Sequence, residues 1–134
     1  MSLYNIMAGI NPATFLILPM LGKKHPAEYP RFRDCFIVDG EIHIFTRVGG
    51  HNRNCGFGEK ELQNHPNFLR DEDSPHDNTY ATYMFSIPQE WKEDADKIVN
   101  GKLLEISDAY KERLYTVFPK LKEQFDILFN KEKS

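Results

Sequence analysis

The chain is poor in cysteine, with two in 134 residues. Two thiols exclude a disulfide-stapled scaffold and a four-cysteine zinc centre. Long apolar runs are missing as well. The longest, Ala13 to Leu21, is too short for a bilayer and is interrupted by Pro19. No lysine or arginine precedes it, so a secretory leader is not expected. There is no basic surplus either: 17 Lys and Arg stand against 20 Asp and Glu, for a formal net charge of -3. General nucleic-acid binding draws on a basic stripe that displaces phosphate counterions, and this composition does not supply one. Internal repeats, low-complexity tracts and linker-like stretches are lacking too. What is present is globular composition, 40% hydrophobic, with enough Phe and Tyr to build a sizeable core. The expectation is a single soluble, cytoplasmic domain over residues 1–134 with no membrane contact.

Local patterns divide the chain into an α+β fold. Asn11-Pro12 has the chemistry of a helix start, Gly22 that of a stop, so Pro12–Leu21 reads as a short buried helix broken at Pro19. Asp39-Gly40 lies between two β-prone runs and suits a two-residue type I′ hairpin turn. That turn sets the register: Val38 faces Glu41, Ile37 faces Ile42, Phe36 faces His43 and Cys35 faces Ile44. Because strand faces alternate, Cys35, Ile37, Ile42 and Ile44 share an apolar face. The opposite face mixes Phe36, Val38 and Phe45 with Asp34, His43 and Arg47. It is either half covered or part of a site.

Residues 48–78 read as a long loop poor in regular structure, with one short helix over Glu59–Asn64. Thr79–Ile87 reads as a third strand, with Ala81, Tyr83, Phe85 and Ile87 on one face. Two or three helices follow. Trp91, Ala95, Ile98 and Val99 form the stripe of the first, which Gly101 ends. Ser107 is placed to cap the next. Pro119 opens or kinks the last, striped by Leu121, Phe125 and Leu128. The architecture expected is a short N-terminal helix, a three-stranded antiparallel sheet and these helices packed on it.

Charge is unevenly spread. Residues 23–53 hold six basic and four acidic side chains, whereas residues 59–77 hold two basic and six acidic. A basic segment therefore precedes an acidic one. The strings NPATFLILPMLGK, EYPRFRDC, FTRVGGHNRNCGFG and NTYATYMFSIPQEW run from Asn11 to Trp91. Through them the chain resembles a group of small proteins encoded in bacteriophage and prophage genomes. The most specific piece is Thr46-Arg47-Val48-Gly49-Gly50-His51-Asn52-Arg53. The resemblance implies an accessory protein that acts on the host, by binding or blocking host and defence factors or by sequestering small signals.

The glycine–arginine loop is the first candidate site. Gly49 and Gly50 allow backbone N–H groups to approach a ligand, while Arg33, Arg47 and Arg53 with Asn52 supply donors for an anionic, nucleotide-like molecule. The structural alternative is a strand-ending turn whose arginines pair with Asp34, Asp71 or Asp73. The acidic run Asp71, Glu72 and Asp73 is the second candidate, as a solvated loop that docks on a basic host protein. With Asp77 it departs from the calcium-loop pattern, because Pro75 and His76 stand where a ligand and glycine are needed.

Zinc is disfavoured, since the hairpin register puts Cys35 and His43 on opposite faces and leaves His51 and Cys55 without a close cysteine pair. Asp34 and His43 have the residue types for general acid–base work, against which stands a plain structural histidine. No metal or cofactor is expected. The leading expectation is a non-enzymatic, phage-type binding protein acting on a host component in the host cytoplasm, with a homodimer as an open possibility. A small enzyme acting on a phosphorylated or nucleotide substrate is the first alternative. A structural or assembly protein is the second.

Overall fold

Asp39 and Gly40 both adopt positive φ, 50° and 77°. That is the type I′ geometry whose twist matches the strands it joins. The turn links β1 (Cys35–Val38) to β2 (Glu41–Arg47). The pairing runs Cys35–Ile44, Phe36–His43, Ile37–Ile42 and Val38–Glu41, as the turn chemistry predicts. This computed structural model describes residues 12–22, 35–47, 51–52, 57–73 and 80–131.

The sheet has four antiparallel strands rather than the three expected. Its order is β1-β2-β6-β5, with β5 spanning Phe68–Asp73 and β6 spanning Tyr80–Ser86. The segment expected to be loop therefore contains an edge strand. It also contains the two-residue strands β3 (His51–Asn52) and β4 (Phe57–Gly58), paired with each other, and helix α2 (Glu59–Gln63). β5 escapes a pattern search because Asp and Glu are poor strand formers and only Phe68 reaches the core. Its backbone partners come from β6, the next described element along the chain, but six residues separate the two strands and no two-residue turn signature announces the pairing.

Helix α1 (Pro12–Ile17) passes into a 3-10 turn, Leu18–Leu21, where Pro19 interrupts it. Gly22 closes the turn at φ 74°, its N–H donating to the Pro19 carbonyl. The expected cap, Asn11, lies outside the described residues. Further on, α3 (Lys92–Val99), α4 (Asp108–Val117) and α5 (Lys122–Lys131) complete five α-helices among the described residues. Gly101 follows α3 at φ 71°. Ser107 caps α4, its hydroxyl accepting from the Tyr110 N–H. Pro119 opens a 3-10 turn ahead of α5.

The core lies between the inner sheet face and these helices. Cys35, Ile42, Ile44, Ala81, Tyr83 and Phe85 supply the sheet side. Phe15, Tyr110, Leu114, Phe118 and Phe125 pack onto it, with Phe118 between Phe15 and Phe125 at centroid distances of 5.2 and 6.2 Å. Burying one such ring contributes ~1.5–3 kcal/mol. The α5 stripe is filled within the chain: Leu121 and Phe125 are buried and Leu128 packs against them. Val99, expected in the α3 stripe, is instead 58% exposed. It sits at the last turn of α3, one step around the helix from buried Ile98.

Candidate functional site

The outer face of the sheet is where sequence and structure meet. Along one row Phe36, His43, Met84 and Arg70 lie side by side across all four strands. Glu41 occupies the neighbouring row on β2. The Arg70 guanidinium reaches over β6 and holds both Glu41 oxygens, at 3.0 and 2.8 Å. That fork spans β6, whose Met84 lies in the same outward-facing row as Arg70 and His43 and is nevertheless only 2% exposed. The mixed face is thus half covered. Donation from Arg70 holds the Glu41 carboxyl below the usual carboxylate range.

His43 is the histidine singled out from sequence. Its Nε2 lies 3.4 Å from Glu41, and its ring stacks on Phe36. Asp34, its expected partner, lies outside the described residues. Cys35 is buried on the inner face, so the hairpin does separate it from His43. Among the described residues no group of three or more His, Cys, Asp and Glu is placed to hold a metal ion.

The acidic run is not a loop. Asp71, Glu72 and Asp73 form the end of β5, opposite Tyr83, Thr82 and Ala81, and all three are exposed. Alternation sends Glu72 to the outer face with Arg70, and Asp71 and Asp73 to the inner side of the edge. There α2 meets them: Gln63 Nε2 donates to Asp71 at 3.1 Å. Tyr83 donates its hydroxyl to Glu59 at 3.3 Å. Burial, then the charge of Glu59, then Asp71 and Asp73 push the Tyr83 hydroxyl up to about 12. None of the three β5 carboxylates forms an ion pair with a described residue. The one cation of the strand, Arg70, is committed to Glu41. Among the described residues, the edge therefore presents more negative than positive charge, three carboxylates to the one guanidinium of Arg70, which also feels Glu72.

Apolar surface adjoins it. A register shift between Phe68 and Arg70 leaves Leu69 bulged and exposed. On the outer face Phe36, Val38 and Tyr80 are exposed, and Tyr80 stacks on Phe45 with centroids 5.1 Å apart. In comparisons with known proteins nothing matches this chain: no family model, no curated protein and no solved structure.

The other candidate divides. Arg47 ends β2 with its backbone paired to Tyr80, and Asn52 pairs with Phe57 in β3. Arg33, Gly49, Gly50 and Arg53 lie outside the described residues, as do His51's side chain and Cys55. Sequence reasoning missed the Arg70–Glu41 fork and the exposure of Tyr80 and Leu69. The run Arg70-Asp71-Glu72-Asp73 is charged throughout and carries no apolar alternation that could have signalled the strand.

Proposed function

We propose that this protein is a non-enzymatic accessory binding protein of the phage type, which acts by docking a basic surface of a host protein on the acidic edge strand β5. The observation that supports this most is the exposed Asp71-Glu72-Asp73 run, whose carboxylates form no ion pair with a described residue, the neighbouring Arg70 being forked onto Glu41. Negative charge left unpaired on a fixed strand steers a basic partner and sets its register. Leu69 and Tyr80 beside it supply apolar contact. The phage resemblance supports a host component as the target.

The test is capture from host lysate, followed by purified binding. A partner retained by the wild-type chain should dissociate as salt rises, because exposed charge pairs are screened over about 8 Å at physiological ionic strength. Charge reversal, Asp71→Lys with Glu72→Lys and Asp73→Lys, should abolish its binding while the far-ultraviolet spectrum stays unchanged. Undiminished binding by the reversed strand would sink the proposal. So would turnover of a nucleotide that stops on His43→Ala, which would favour an enzyme.

A further inference from the structure

A separate cleft of about 400 Å³ opens where β6 leaves the sheet. Its volume lies in the range of small-molecule sites. Three stretches of chain meet there: the 3-10 turn ending at Gly22, the turn over 65–67, and the Pro88–Trp91 segment, with α4 contributing Arg113. The frame is tied by side chains. His65 Nε2 lies 2.8 Å from the Leu21 carbonyl, and its Nδ1 accepts the Asn67 N–H at 3.0 Å. These bonds assign the ring proton to Nε2. Ser86 N–H in turn donates to the Asn67 carbonyl at 2.8 Å. The polar atoms of His65 are thus spent on the frame.

Two charged side chains are left. Arg113 is half-buried and has no ion pair among the described residues. Its guanidinium lies against Gly22, where a Cβ would stand 2.9 Å from Nη2. The missing side chain at Gly22 makes room for it. Glu90 lines the same cleft, exposed and without an ion pair to Arg113. The remaining walls include Met20, Pro66, Pro88 and the half-buried Trp91.

We infer that this cleft binds a small organic carboxylate, its head forked on Arg113 and its apolar body laid against Trp91 and Met20. A planar guanidinium with no ion pair among the described residues matches a carboxylate in a bidentate pair. One cation with one carboxylate at the opening suits a monoanion or zwitterion, and disfavours a polyphosphate, which Glu90 would repel.

The chain carries a single tryptophan, Trp91, so the cleft has its own fluorescence reporter. Phenylacetate is the probe and benzylamine the charge-reversed control. Phenylacetate should change Trp91 emission saturably, with a dissociation constant on the order of 1 mM, and benzylamine should not. Arg113→Gln should weaken phenylacetate at least tenfold while melting like the wild type. Arg113→Lys, which keeps the charge and loses the fork, should fall between. A second measurement follows the Gly22 amide resonance, which should shift along the same binding curve. The inference is overturned by a wild-type chain that shows no saturable response, by equal responses to both probes, or by unchanged affinity in both Arg113 variants.

Discussion

Asp94 is a buried carboxylate at 4% exposure, and removing it tests how α3 is joined to α4. Its Oδ1 accepts the Ser107 backbone N–H at 2.7 Å and its Oδ2 accepts the Ser107 hydroxyl at 2.8 Å. Ser107 uses that same oxygen to accept the Tyr110 N–H at 3.2 Å. The carboxylate therefore fixes the residue that caps α4, and its charge lies at the favourable end of the α4 dipole. Each hydrogen bond to a charged group is worth ~1.5–3 kcal/mol, and a Ser107 amide left unpaired adds a penalty. Relief from burying the charge offsets part of this. Asp94→Ala should then cost ~3 kcal/mol, or a melting temperature lower by about 10 °C for a chain of this size. Asp94→Asn should cost ~1 kcal/mol, because the amide oxygen still accepts from Ser107 N–H.

Ser107→Ala should cost ~2–3 kcal/mol, through the lost cap and the half-satisfied carboxylate. The two sites share a bond, so their effects should not add. A double-mutant cycle should show ~1.5 kcal/mol of coupling. Urea denaturation of the four proteins measures it, with equal m-values as the check that the unfolded states match. A cost under ~1 kcal/mol for Asp94→Ala, or coupling within ~0.5 kcal/mol of zero, would refute the reasoning.

Two further outcomes follow from single groups. The Tyr110 hydroxyl is fully buried and, among the described residues, has no hydrogen-bond partner; burial, then Asp94, pushes its ionisation well above the usual tyrosine range. Tyr110→Phe keeps the ring contact with Trp91 and removes that unpaired group, so it should stabilise by ~1 kcal/mol, and a lower denaturation midpoint would contradict this. Asp126 is held below the usual carboxylate range by the Tyr115 hydroxyl that donates to it, then by Lys122. A depressed folded value means stability that is present above the ordinary carboxylate range and lost as pH falls through the folded value. The stability gap between wild type and Asp126→Asn should therefore shrink from neutral pH to acid, and a gap independent of pH would contradict the assignment.

The parts of the fold legible in the sequence are those dictated by local chemistry. Asp39-Gly40 alone specifies a turn type, and the turn type specifies every pair in the hairpin. Ser107, Gly22 and Gly101 act within one helical turn of themselves. The parts that escaped depend on partners in other elements. β5 is a strand because β6 offers its edge, against the preference of its four charged residues. For the same reason Asp71, Glu72 and Asp73 were legible as an acidic surface and not as a strand. The cleft at Arg113 was illegible, since it draws on four stretches of chain spread from Pro19 to Arg113. Of the glycine–arginine loop, the described residues include only the backbone at Arg47, His51 and Asn52.

The charged edge also bears on what happens at high concentration. Among the described residues no strand pairs with the outer edge of β5; such an edge is a template for another copy of itself, and the bulged Leu69 would make that contact adhesive. Two β5 edges brought together would oppose six carboxylates, three from each copy, so the strand that invites a basic partner refuses its own kind. Neutralising the run with amides would remove that refusal and leave the pairing groups intact. Such a chain should grow into strand-linked oligomers, whereas the lysine-reversed chain should stay dispersed. The acidity of β5 thus doubles as a gatekeeper against polymerisation.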